Sequence, residues 1–144
     1  MRRGLILFLL SGIIFTDMMG YGIVIPLMPH YQEKLGIGRE EAGFLFASYA
    51  LVQLLALLPF GEAVDRWGRK KFILVGMGLL AGCSLVFIRA STFGELLWAR
   101  MIQGMAAACT WTAALPLASE IASEARRGME LSFITLSGLS LIHI

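Results

Sequence analysis

Five apolar runs joined by short charged connections leave this chain few ways to fold. By apolarity alone the runs cover residues 4–28, 41–60, 72–89, 93–118 and 128–144. A helix needs about 20 apolar residues to cross the hydrocarbon of a bilayer. Lipid offers no partner to a backbone N–H or C=O, so each run must satisfy its own backbone as a helix. Composition agrees: the chain is 58% hydrophobic and only 15% charged, with a mean hydropathy of +0.77. A soluble domain sits at roughly 45–50% apolar and about 25% charged. The sequence therefore predicts an all-α integral membrane protein, with four spans and part of a fifth. The last run stops at Ile144 with no closing loop, so the chain is expected to be an N-terminal fragment that requires the rest of its own polypeptide.

The basic residues predict the orientation. Arg2, Arg3, Arg66, Arg69, Lys70, Lys71, Arg126 and Arg127 fall on one side of the runs, whereas Lys34, Arg39 and Arg89 fall on the other. Lys and Arg accumulate in cytoplasmic loops, so this bias places the N-terminus inside. Arg2 and Arg3 followed by an apolar stretch also raise the question of a cleaved leader. The stretch runs to Pro26, longer than the roughly 7–15 residues of a leader's apolar region, with no small-residue cleavage site after it. It is expected to stay as the first helix. Pro26, Pro29, Pro59 and Pro116 lie at or near run ends, where they are expected to bend or stop helices.

Several function classes fall away. A net charge of +2 gives no footprint for nucleic acid. Cys83 and Cys109 lie inside apolar runs, without a CxxC pair or a His/Cys cluster, and are expected to be small buried residues at helix contacts. No metal or cofactor is implied. No nucleophile and base are paired in the pattern, so enzyme chemistry is not expected.

Asp17 is the first residue with chemistry to offer. It lies about 12 residues into the first run, roughly 18 Å along that helix at 1.5 Å per residue. An ionised carboxylate near mid-bilayer costs about 2.5–3.5 kcal/mol even on the mildest scale. Such a group marks an ion or substrate pathway unless a neighbouring helix simply pairs it. Arg100 lies within the fourth run, and it must find an anion, carbonyls or water because it does not deprotonate. The first and fourth runs have opposite directions, which brings Asp17 and Arg100 to comparable depths, within reach of a long side chain. Arg100, Gln103 and Gly104 are spaced i, i+3, i+4 and share one helix face. Gly104 and the alanines after it allow a partner helix to come close. Gly78-x-x-x-Gly82 fits the same small-residue pattern. Met18, Met19, Met101 and Met105 fit either an adaptable pocket or plain core packing, the commoner use. Tyr21, Trp98 and Trp111 fit either stacking on an aromatic cation or an interfacial belt.

The connection after the second run is Gly61-Glu62-Ala63-Val64-Asp65-Arg66-Trp67-Gly68-Arg69-Lys70-Lys71. Its pattern G-x-x-x-D-R-x-G-R-K resembles the signature loop of the major facilitator superfamily of secondary transporters. Arg100, Gln103 and Gly104 resemble the span-four motif of proton-coupled members. Asp17, Gly20, Gly22, Pro26 and Pro29 resemble the first helix of the twelve-span drug:proton antiporter branch. Thr110 to Pro116 and Arg126-Arg127-Gly128 are similar to the same branch, and Ser137-Gly138-Leu139-Ser140-Leu141 resembles the lead-in to its span-five motif. The G-P-x-x-G-G run of that motif is absent, and Glu62 stands where the family often has a small residue.

The resemblance implies a fold of two six-helix bundles around a mid-membrane cavity, of which this chain supplies the start. It implies that Gly61, Asp65, Arg66, Gly68, Arg69 and Lys70 form a cytoplasmic conformational latch, with Gly61 and Gly68 allowing the tight turn. It implies proton coupling or substrate contact at Asp17, Arg100 and Gln103, and helix packing at Gly104. The implied function is proton-coupled efflux of small amphipathic compounds or drugs, in a bacterial inner membrane. The implied partners are a small-molecule substrate, protons and the lipid bilayer. Import of sugars or metabolites by symport or facilitation is the rival within transport, and a non-transporting truncated membrane fragment is the rival outside it.

Overall fold

The computed structural model describes residues 2–124 and 127–139. These form six helices: α1 (Arg2–Gly22), α2 (Val24–Leu35), α3 (Arg39–Trp67), α4 (Arg69–Arg89), α5 (Phe93–Ile121) and α6 (Arg127–Leu139). No strand occurs among the described residues. The end of the fifth run, residues 140–144, and Arg126 lie outside the described residues.

The helices run past the expected ends of the apolar runs. Ile23 still donates its N–H to the Met19 carbonyl at 3.0 Å, so α1 passes into α2 with hardly a break. Pro29 sits inside α2, and the helix continues to Leu35 before Gly36 closes it at φ 66°. Positive φ carries no penalty for glycine, which is why the helix stops there. The connection expected over residues 30–40 therefore shrinks to Gly36–Gly38. Likewise α3 passes through Pro59, which is exposed, and keeps its helix through Val64 and Asp65 to Trp67. The turn lies at Gly68 alone, where φ is 92° and the N–H bonds the Val64 carbonyl at 2.9 Å. Gly61 is helical and takes no part in turning the chain, contrary to the expectation of a glycine-bracketed loop. In lipid the longer helices are favoured, because they leave fewer backbone groups to satisfy elsewhere.

The turn before α5 is a capping box. Thr92 Oγ1 accepts from the Glu95 N–H at 3.3 Å, and the Glu95 carboxylate accepts from the N–H groups of Ser91 and Thr92. These bonds satisfy donors that a helix start would otherwise leave bare.

The continuous stretch Arg3–Leu35, α3 and α4 are each long and apolar enough to cross a membrane. The helix α5 has the length too and carries Arg100, Gln103, Thr110 and Thr112 within it. Its position explains this. Helix α5 is the hub, packed against α1, α3, α4 and α6, so protein rather than lipid covers it. Its run Ala106-Ala107-Ala108-Cys109-Thr110 is fully buried or nearly so. Two glycines set the approach. A Cβ on Gly104 would sit 2.5 Å from the Tyr49 carbonyl oxygen, and one on Gly76 would sit 3.0 Å from that of Ala106. Thus α3 and α4 lie backbone against backbone on either side of α5. Gly78 and Gly82 have open space where a Cβ would go and make no such contact. Cys83 and Cys109 are buried between helices, as their sequence context predicts. Outward faces are apolar, with Leu58, Ile88 and Phe8 the most exposed of many. That inversion, with polar groups inside and hydrocarbon outside, is the arrangement lipid selects.

Candidate functional site

Leu10, Ile14 and Asp17 recur at helical spacing and form one inward stripe of α1. The stripe delivers Asp17 to the seam with α5, where it is 2% exposed. Trp111 Nε1 donates to Asp17 Oδ2 at 2.8 Å. Asp17 Oδ1 has no hydrogen-bond partner among the described residues. Tyr49 of α3 and Cys83 of α4 lie within electrostatic reach of the carboxylate.

A second polar layer lies further along α5, toward its start. Arg100 is fully buried. Its Nε donates to the Leu45 carbonyl at 3.3 Å and its Nη1 to Gln103 Oε1 at 2.7 Å. The guanidinium carbon lies 5.1 Å from the Tyr21 ring centre, and 4.9 Å from those of Phe46 and Tyr49. Phe46 and Tyr49 are three apart on α3 and share a face. Tyr21 follows Asp17 by one turn of α1, and its ring packs on Tyr49 with centres 4.8 Å apart. Arginine suits this place because its planar cation is weakly hydrated and stacks on rings. A desolvated contact of this kind contributes about 2 kcal/mol. Arg100 Nη2 makes no hydrogen bond among the described residues, with the Tyr21 hydroxyl close by. The Gln103 amide nitrogen faces Gly20, 3.5 Å from where a Cβ would be. Gln103 thus lies against α1 at Gly20, between Asp17 and Tyr21.

The Gly104 contact with Tyr49 brings α3 near enough for Tyr49 and Phe46 to reach Arg100. An open apolar groove of about 300 Å³ begins beside this seam, between α1 and α4, lined by Met19, Gly20, Met77 and Leu80 among others. Of the candidate methionines Met19 lines this groove, and Met18 packs against the core cluster of Leu10 and Ile14.

At the end that carries the Gly68 turn, Arg69 pairs with Glu120 at the last turn of α5. Hydrogen bonding from Arg69 holds the Glu120 carboxyl below its ordinary value, and Arg69 is held correspondingly higher. Asp65 lies within electrostatic reach of Arg69 but forms no ion pair among the described residues. Asp65, Arg66 and Lys70 are exposed.

Residues 10–140 match the Major Facilitator Superfamily. The chain belongs to that superfamily. Multidrug resistance protein 2 of Bacillus subtilis is 27% identical over 134 residues, which is 93% of this chain and 33% of that protein. Quinolone resistance protein NorA of Staphylococcus aureus is 29% identical over 130 residues, 90% of this chain and 33% of NorA. The chain thus spans about a third of the length of the curated relatives it matches.

Within this facilitator-superfamily chain, the residues singled out from sequence separate into two places. Asp17, Arg100 and Gln103 lie in one seam, although Asp17 and Arg100 are not bonded to each other, and Gly104 lies on the contact of α5 with α3. Asp65, Arg66, Gly68, Arg69 and Lys70 lie at one end of the bundle, with Gly61 two turns up inside α3. Sequence reasoning missed the partners. Trp111 bonds Asp17 and does not belong to an interfacial belt. Tyr49 and Phe46 went unnoticed, although an i, i+3 aromatic pair on a run facing a buried Arg was a readable signal. No pattern in the sequence pairs Glu120 with Arg69. Tyr31 and Lys34 also donate to the Phe87 and Ala90 carbonyls at 2.9 and 3.4 Å, tying α2 to the end of α4.

Proposed function

We propose that this chain is the first part of a proton-coupled exporter of small amphipathic compounds, resident in a bacterial plasma membrane with its N-terminus in the cytoplasm. The observation that carries this reading is Asp17, an acid buried at mid-helix with one oxygen left without a hydrogen bond. A carboxylate kept at that depth is a functional group by default. One oxygen is held by the Trp111 donor, and the other is left open to a proton. The free oxygen is the place for a proton or for the cationic part of a substrate. The names of the two bacterial relatives, multidrug resistance and quinolone resistance, support drug-like cargo.

In this mechanism the five spans of residues 4–28, 41–60, 72–89, 93–118 and 128–144 form part of one bundle that rocks against a second, supplied by the remainder of the polypeptide. Protons and substrate compete for the Asp17 seam, and Arg100 with Gln103 sets how strongly Asp17 holds its charge. Gly61, Asp65, Arg66, Gly68, Arg69 and Lys70 serve as the cytoplasmic latch between states, with Gly61 acting only as a helix residue.

The test uses everted membrane vesicles carrying the complete transporter, with a lipophilic cationic dye added outside. Dye movement should be driven by an imposed pH gradient and stopped by a protonophore. Asp17→Asn should abolish the proton-driven movement at normal expression. If Asp17→Asn still moves dye against its gradient with an unchanged pH profile, the coupling acid lies elsewhere.

A further inference from the structure

The Trp111 indole has a place in the structure that the export mechanism above does not use. It is half-buried on α5 and reaches across to α1, 94 residues away in sequence, to bond Asp17 at 2.8 Å. An indole N–H donates and never accepts. It therefore favours the charged acceptor over the neutral one, since a hydrogen bond to an ionised oxygen is roughly twice as strong as one between neutral groups. The other groups facing Asp17 do not replace it. Tyr49 from α3 and Cys83 from α4 interact with its charge without a hydrogen bond to it. Tyr21, one turn along α1, packs on Tyr49. Arg100, the buried cation of α5, is engaged by Leu45, Gln103 and three rings. Among the described residues the one hydrogen bond to the carboxylate comes from Trp111.

We propose that Trp111 is the positioning residue that sets the proton affinity of Asp17. The proposal rests on the reading of Asp17 as the coupling acid and assigns its control to one N–H. The Trp111 N–H and a proton compete for the same carboxylate, because the bond to the ionised oxygen is the stronger one. The proton comes from water and returns to it, and no other reactant is needed.

Two measurements on the complete transporter decide the matter. In the first, everted vesicles carrying Trp111→Phe are compared with wild type across pH. The phenyl ring keeps most of the bulk and removes the donor. The midpoint of the pH profile of dye export should move about one to two pH units to the alkaline side, the equivalent of one charge-assisted hydrogen bond. Trp98→Phe, at an exposed site outside the seam, should leave the midpoint in place. An unmoved midpoint in Trp111→Phe, with Asp17→Asn inactive, overturns the proposal and leaves the function standing. The second measurement needs no transport. The protein is labelled with 5-fluorotryptophan, and the ¹⁹F resonance missing from Trp111→Phe or Trp111→Tyr is assigned to Trp111. That resonance should titrate with pH in wild type and cease to titrate in Asp17→Asn. A resonance that ignores pH, or titrates equally in Asp17→Asn, overturns the proposal even where the role of Asp17 in export fails.

Discussion

Asp17 and Arg100 share one buried seam without sharing a bond. Asp17 is 2% exposed and Arg100 fully buried, and each retains a polar atom with no hydrogen bond among the described residues. The ion pair found among the described residues is elsewhere, between Arg69 and Glu120. Two buried opposite charges would ordinarily be expected to collapse onto each other, since an unpaired ion in low dielectric loses several kcal/mol of solvation. Here each has its own substitute for water. Asp17 has the indole of Trp111. Arg100 has a carbonyl, an amide and three ring faces. The two charges can therefore be perturbed one at a time.

Arg100→Lys should behave almost like Arg100→Ala. A lysine keeps the charge but is a compact, strongly hydrated ammonium. It cannot stack on Tyr21, Phe46 and Tyr49 while also donating to both Leu45 and Gln103. Loss of the stacked, desolvated contact alone is worth about 2 kcal/mol. Thermal unfolding of the detergent-purified transporter should show both variants well below wild type. A lysine variant that unfolds with wild type would mean that charge alone matters and the ring cage is incidental.

Glycine positions should divide sharply by location. Gly104→Ala places a methyl 2.5 Å from the Tyr49 carbonyl oxygen, a backbone atom that moves only with α3. Overpacking of this kind costs about 1–3 kcal/mol and spreads α3 from α5. Gly82→Ala meets nothing within 4 Å and lies inside α4. There the methyl lowers the entropy lost on helix formation, by about 0.5–1 kcal/mol. Unfolding temperatures should fall for the first and hold or rise for the second. Equal effects would show that the close approach of α3 and α5 is not a constraint.

Much of this architecture was legible in the chain because lipid imposes simple rules. Apolarity fixed the existence of the helices, and the depth of Asp17 and Arg100 in their runs marked the seam. Helix ends were misjudged where proline was taken as a stop. Pro29 and Pro59 remove one hydrogen bond each, yet both helices continue, because a membrane helix loses more by unwinding than by one missing bond. Glycine was misjudged for a different reason. Gly78-x-x-x-Gly82 has the contact spacing, but Gly76 and Gly104 make the contacts, and rotation about a helix axis cannot be read from spacing on one helix. The partners of the charged groups were hidden for the same reason. Trp111 meets Asp17, and Glu120 meets Arg69, only after α1, α4 and α5 have been packed. No local pattern encodes such a pairing.

The proposed orientation, with the N-terminus in the cytoplasm, rests on the basic bias and has a direct check. Trp67 is 68% exposed beside the Gly68 turn. Cysteines placed at Trp67 and Arg3 should resist a membrane-impermeant maleimide added to intact cells, and should react after permeabilisation. A cysteine at Arg89, exposed at the other end of α4, should react in intact cells. Cys83 and Cys109 are buried and give little background. Labelling of Trp67→Cys from outside would invert the topology and with it the direction of export.

The tie between Arg69 and Glu120 joins the first residue of α4 to the last turn of α5, so it tests whether the two helix ends move as one. Its side chains are partly open to solvent, 23% for Arg69 and 63% for Glu120, so salt should weaken it. The pH dependence has one sign. Glu120 is held below its ordinary value of 4.5 by the Arg69 hydrogen bond. Its contribution is therefore complete above that value, and fades as pH falls through the lowered one. Arg69 stays charged throughout the working range and adds no alkaline limb. The contact should be intact at neutral pH on either side of any physiological gradient, which makes it a fixed tie as far as protons are concerned. Glu120→Gln and Arg69→Gln should each slow dye export while leaving expression near normal, and the exchanged pair Arg69→Glu with Glu120→Arg should recover part of the loss. Asp65→Asn should also slow export, because Asp65 is the second acid within reach of Arg69. Recovery in the exchanged pair, with export lost in Asp65→Asn, would mean that Arg69 moves between two acids during the cycle. Full export in all of these variants would reduce the basic connection to a topology signal.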